Sequence, residues 1–75
     1  MEDLFSVCGQ IRLRKGEGRT LKAGGAWVYD NEIEWMSDAI IDGHLVKVLD
    51  FDDYFMGIGF INRKSKITVR MLSRH

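Results

Sequence analysis

Seventy-five residues with no net charge, 29% charged side chains and a single cysteine, Cys8, exclude most of what a larger chain could do. At this length one small domain with a thin core is the ceiling, a deep catalytic cleft has no room, and neither an internal disulfide nor a thiolate zinc cluster can form. No apolar run reaches the ~20 residues of a membrane span, and Met1 to Gln10 carries Glu2 and Asp3 where a secretory leader is basic, so the chain reads as soluble, cytoplasmic and without a membrane partner. Cys8 is expected to be a core thiol rather than a nucleophile.

The zero total hides segregation along the chain. From Gln10 to Gly25, Arg12, Arg14, Lys15, Arg19 and Lys22 stand against Glu17 alone. From Ala26 to Asp53 eight carboxylates face only Lys47, and from Tyr54 onward Arg63, Lys64, Lys66, Arg70 and Arg74 meet no acid. Basic segments that meet in space would make an electropositive face on a neutral protein, the footprint of a phosphate-rich partner. Solvated, interspersed surface pairs are the alternative.

In chain order, Ser6 to Leu13 ends with Ile11 and Leu13 alternating against Arg12 and Arg14, a strand with one apolar and one basic face. Lys15-Gly16-Glu17-Gly18 is a turn. Arg19 to Ala23 has helix formers for about one turn, and Gly24 sits where a helix C′ glycine belongs. Gly24 and Gly25 are expected to leave bare amides beside Arg19 and Lys22, next to Trp27, which is expected to plug the core. Trp27-Val28-Tyr29 and Ile33-Glu34-Trp35-Met36 are strand pieces split by Asp30-Asn31, with Trp35 adding core volume. Ser37 to Ile41 is ambiguous. Asp42-Gly43 is a turn before the strand Leu45 to Leu49, and Asp50-Phe51-Asp52-Asp53 is a polar hairpin tip.

The return strand runs from Tyr54 to Ile61. In it Met56, Ile58 and Phe60 share one face, and the opposite face, bearing Gly57 and Gly59, is flat enough for another backbone or a ligand to pack close. Asn62 to Lys66 is a loop, and Ile67, Val69 and Met71 alternate with Thr68 and Arg70 in the last strand. Five or six short strands with one or two short helices make a small, mainly β barrel.

The inventory argues against chemistry. The glycines near residue 20 lack the Walker pattern and a helix of useful length. Asp50, Asp52 and Asp53 lack the glycine and distal glutamate of a calcium loop. His44 and His75 have no partners at ligand spacing, and no glycine-framed serine is present. No catalytic and no metal-ligating residue is assigned. Nucleic acid fits better: Arg19, Lys22, Gly24 and Gly25 can meet one sugar-phosphate stretch, Arg63, Lys64 and Lys66 flank Ser65, and Tyr29 can stack on a base or serve as half-core.

The succession Leu13-Arg14-Lys15-Gly16-Glu17, Arg19 to Gly24, Trp27-Val28-Tyr29-Asp30-Asn31-Glu32-Ile33, Asp42 to Val48, Phe55 to Asn62 and Ser65 to Leu72 resembles the N-terminal PUA domain of bacterial class I ribosomal RNA methyltransferases. The likeness runs from about Ile11 to Leu72. It implies a PUA-like pseudo-barrel over residues 1–75, the N-terminal domain of a longer protein, with RNA docking beside the short helix and its following loop. The positions so implied are Arg19, Lys22, Gly24, Gly25 and Tyr29, with Lys64, Ser65, Lys66 and Arg70 from the last strand and the loop before it. Where the family usually carries His-Pro after the helix glycine, this chain has Gly25-Ala26. The resemblance further implies large-subunit ribosomal RNA as partner and a C-terminal methyltransferase domain in cis. S-adenosylmethionine would be bound there, with no cofactor in the present chain. A natural stand-alone RNA module, a protein-interaction or dimerisation module, and a small enzyme with its own site are the competing expectations.

Overall fold

The structure, a computed structural model, describes residues 7–74. The side chain of Cys8, the segment Met1 to Ser6 and His75 lie outside the described residues, and with them the readings of a core thiol and of the leader region. The elements are β1 (Val7–Leu13), α1 (Arg19–Lys22), β2 (Trp27–Tyr29), a 3-10 turn (Asp30–Glu32), β3 (Ile33–Met36), β4 (Leu45–Leu49), β5 (Phe55–Ile61) and β6 (Ile67–Arg74). They form one six-stranded sheet in the order β2-β6-β5-β4-β1-β3. β1 and β4 are parallel and the other neighbours antiparallel. The two edge strands, β2 and β3, are consecutive in sequence and joined only by the 3-10 turn, so the sheet must curl until its edges approach. The result is the expected mainly β, barrel-like fold, a curled half-barrel.

Alternation decides what fills it. Ile11, Leu13, Val28, Val46, Val48, Ile61 and Val69 are fully buried, a core made mostly of β-branched side chains that suit a pleated wall. One turn of helix is held at both ends by glycine. Gly18 precedes it at φ +92°, and Gly24 follows at φ +102°. Leu21, on the inner side, buries the turn against the core.

Gly57 and Gly59 face inward, and β6 packs on them with its backbone as well as with Met71 and Val69. A Cβ on Gly59 would lie 2.6 Å from the Arg70 carbonyl oxygen, and one on Gly57 would meet the Ser73 carbonyl oxygen and lie 2.9 Å from Arg74 Cα. These two residues let β6 close on β5.

Three expectations are corrected. Trp27 and Trp35 are each 45% exposed and outside the core. The pleat turns Val28 inward and Trp27 outward, and likewise Ile33 inward, leaving Trp35 on the exposed part of β3. Each indole instead lies near a cross-strand arginine, Trp27 with the Arg70 guanidinium 5.5 Å from its ring centre and Trp35 with that of Arg12 at 5.7 Å. Thr68, expected outward, is buried. Between Val28 and Tyr29 the pairing steps from Val69 to Ile67, leaving Thr68 as the extra residue of a bulge, and its hydroxyl donates to the Ser65 carbonyl at 3.0 Å.

Candidate nucleic-acid interface

The expected site residues fall into two groups at different ends of β6. Arg19, Lys22, Gly24 and Gly25 surround the end of α1. Lys64, Ser65 and Lys66 form the β5–β6 loop, and Tyr29 stands beside that loop rather than beside the helix, since it pairs with Ile67 and the next amide, Asp30 N–H, donates to the Lys66 carbonyl at 2.9 Å. Arg70 lies between the groups. At about 3.3 Å per residue, Arg70 is some 13 Å along the strand from Arg74, whose guanidinium donates to the Gly25 carbonyl at 2.9 Å.

The glycine amides are not bare. Gly24 N–H donates to Leu21 O (3.1 Å) and Gly25 N–H to Thr20 O (2.7 Å), the paired bonds that end a short helix. Gly25 has no room for a Cβ against the Thr20 carbonyl, so its role here is to let the chain pass close over the end of the helix. Gly24 leaves open space, with only the Arg74 guanidinium within 4 Å of where a Cβ would be.

The separate charge segments interleave once folded. Arg12 donates to both Glu34 and Asp53 at 3.2 Å, and these hydrogen bonds, Asp53 first, hold its guanidinium above its ordinary pKa. Asp42 accepts from the Arg63 backbone N–H (2.9 Å) and Nε (3.0 Å). Those two bonds, backbone first, hold its carboxyl below the ordinary carboxylate value. Arg14 is spent on the Asn31 carbonyl. The expected electropositive face is therefore divided, and the cations outside any ion pair among the described residues include Arg19, Lys22, Lys64, Lys66 and Arg70.

Two clefts result. One, of about 460 Å³, lies along β5, β6 and their loop and is lined by Phe60, Lys64, Ser65, Ile67 and Arg70 among others. Its loop is ordered by Asn62, which accepts from Lys64 N–H, and by the Ser65 oxygen, which accepts from Ile67 N–H and leaves the hydroxyl proton for an outside acceptor. The other, about 700 Å³ and open, lies between α1, the β4–β5 turn and the end of β6.

Reading the sequence missed a feature of the outer wall. Phe60, Arg70 and Trp27 are cross-strand partners on β5, β6 and β2, so one cation stands in a row between two exposed aromatic rings, Phe60 being 44% exposed. The glycines held the signal: if their side of β5 packs on backbone, Phe60 must face out.

The comparison with known families agrees with a six-stranded curled sheet that has a one-turn helix ahead of β2: the profile of a PUA-like domain matches residues 11–74. This chain belongs to the PUA-like domain family. The match starts inside β1 and ends with β6, so it takes in the two clefts just described and the outer aromatic row. PUA-like domains generally bind RNA. No curated protein matches the chain significantly. Among the described residues no helix is long and apolar enough to cross a membrane, and no group of three or more His, Cys, Asp or Glu is placed to hold a metal ion.

Proposed function

We propose that this PUA-like domain binds structured RNA along β2, β6 and the β5–β6 loop, and that it docks a methyltransferase of large-subunit ribosomal RNA onto its substrate. The observation that carries the RNA reading is Arg70 between Trp27 and Phe60, with Lys64, Ser65, Lys66 and Tyr29 at the same end of the sheet. Arginine and lysine side chains bind phosphate, while exposed aromatic rings stack on unpaired bases, and structured RNA offers both. Arg19 and Lys22 extend the contact past Gly24 and Gly25 toward the helix. The methyltransferase part rests on the sequence resemblance over Ile11 to Leu72. S-adenosylmethionine and the catalytic residues belong, on this reading, to a further domain in cis, in the cytoplasm.

The test is a titration of the chain with hairpin fragments of large-subunit ribosomal RNA, followed by anisotropy of labelled RNA. With about three phosphates neutralised, affinity should fall roughly 20- to 40-fold between 50 and 200 mM salt. Arg70→Ala and the Lys64→Glu/Lys66→Glu pair should weaken binding at the lower salt. Failure to bind there, or binding indifferent to salt, refutes the proposal. Salt-independent self-association would favour the second reading, a protein-interaction module, for which the exposed Trp27, Phe60 and Leu72 are the supporting observation.

A further inference from the structure

The larger cleft is not explained by phosphate binding, because its walls carry opposite charge. Lys22 and Arg74 stand on the α1 and β6 side, and Asp50 and Asp52 on the β4–β5 turn, with Leu21 and Tyr54 also lining it. Among the described residues none of these cations lies within 4.0 Å of either carboxylate, so the two walls face each other across a gap without pairing. Arg74 reaches this side through a bulge. Ile58 pairs with Ser73 and Gly59 with Met71, so Leu72 is the extra residue, and Arg74 becomes the partner of inward-facing Gly57 instead of continuing the outer row of Arg70.

The three carboxylates of the turn have different duties. Asp53 is engaged by Arg12. Asp50 is fixed as the anchor of the turn, one of its oxygens accepting from the Asp52 N–H at 2.8 Å and the Tyr54 N–H at 2.9 Å. The Asp52 carboxylate makes no hydrogen bond among the described residues and lines the cleft, next to a Tyr54 ring that is 73% exposed. A ligand complementary to all of this has an anion for Lys22 and Arg74, a flat ring for Tyr54, and two adjacent N–H donors for Asp52.

We propose that this cleft takes a single guanine nucleotide, its phosphate between Lys22 and Arg74 and its Watson–Crick edge on Asp52. Guanine presents N1–H and N2–H side by side, which a carboxylate accepts as a bidentate pair. Adenine and cytosine set a ring acceptor beside their amino donor, and uracil flanks its one N–H with carbonyls, so each brings a lone pair toward Asp52. The cleft, at about 700 Å³, is large enough for one nucleotide held out of a stack. In its RNA form the inference rests on the RNA-binding reading above, the nucleotide being an unpaired guanosine of the bound strand. A free guanine mononucleotide carries the same chemistry.

The experiment is an NMR shift titration of the isotope-labelled chain with the 5′-monophosphates of guanosine, adenosine, cytidine and uridine, paired with anisotropy on RNA hairpins carrying one unpaired G or A. The expected result is at least a tenfold preference for GMP, at the scale of one bidentate base contact, with shifts at Lys22, Asp52 and Tyr54. Asp52→Asn should remove that preference, and Lys22→Gln should weaken all four nucleotides alike. Asp52→Asn keeps the backbone amide that holds the turn, and unchanged resonances away from the cleft verify its fold. Equal affinity for the four nucleotides, or a GMP preference surviving in Asp52→Asn, overturns the proposal. Salt-sensitive hairpin binding without any preference for G in either arm refutes the guanine cleft alone. GMP preference without hairpin binding upholds the cleft for the free nucleotide and refutes the RNA reading.

Discussion

Replacing Gly57 by alanine tests how the barrel closes. The position combines two obstacles, a φ of +145° that side chains rarely adopt and a Cβ directed into the β6 backbone at Ser73 and Arg74. The dihedral alone costs about 1–3 kcal/mol, and forcing atoms into a packed site about 1–3 kcal/mol more. A total near 4 kcal/mol is a large part of the roughly 4–11 kcal/mol expected for a domain of this length, and should lower the melting temperature by about 16–32 °C. Two controls separate the terms. Gly16→Ala has the positive φ, +82°, with nothing within 4 Å of the new methyl, and should lose only the dihedral share. Gly59→Ala has no such φ but meets Arg70 O and Val69 Cγ1 at 2.6 Å, and should lose only the steric share. Thermal melts by circular dichroism on the three variants decide it. If Gly57→Ala melts no lower than Gly16→Ala, backbone contact between β5 and β6 is not what requires glycine there.

Ile61→Ala, at a fully buried position, should destabilise by about 2–5 kcal/mol in a denaturant titration, whereas Trp27→Ala should cost clearly less while weakening RNA binding. A Trp27→Ala variant as unstable as Ile61→Ala would contradict the exposed placement of the indole. Asp42 has a folded-state pKa below its unfolded value, so its charge stabilises above the ordinary carboxylate range, and that contribution disappears as pH falls through the folded pKa. Asp42→Asn should therefore be less stable than the parent at neutral pH, and the two should converge in acid below about pH 4. A gap that is constant across that range would show that the charge on Asp42 does not contribute.

Some elements could be read from residues alone. Leu45 to Leu49 is a strand with those bounds, its hairpin partner, expected from Tyr54, runs from Phe55 to Ile61, and the one-turn helix is closed by Gly24 as its composition requires. Here the local pattern and the final environment agree. What could not be read depends on pairing at long range. A three-residue strand such as Trp27-Val28-Tyr29 has a clear alternation but no internal clue to which face is buried, and side-chain size pointed the wrong way. The bulges at Thr68 and Leu72 change the parity of β6, burying one threonine and sending Arg74 to the opposite side from Arg70. Summing charge by segment missed that Arg12 would find Asp53, 41 residues away. The same blindness to register hid the row Trp27, Arg70, Phe60 and the cleft that joins α1 to the β4–β5 turn.

The sheet order also sets a schedule for synthesis. β2 has β6 as its ladder partner, yet Tyr29 leaves the ribosome long before Ile67, and at 5–20 residues per second the wait is about 2–8 s. During that interval β3 can already pair with β1, and β4 and β5 can join as they emerge, but β2 hangs at an unfinished seam with its one core side chain, Val28, unsheltered. A nascent chain stalled before Ile67 would present β5 as a bare edge beside an unpaired β2, the kind of template that captures strands from neighbouring chains. Release of the β6 segment closes that seam.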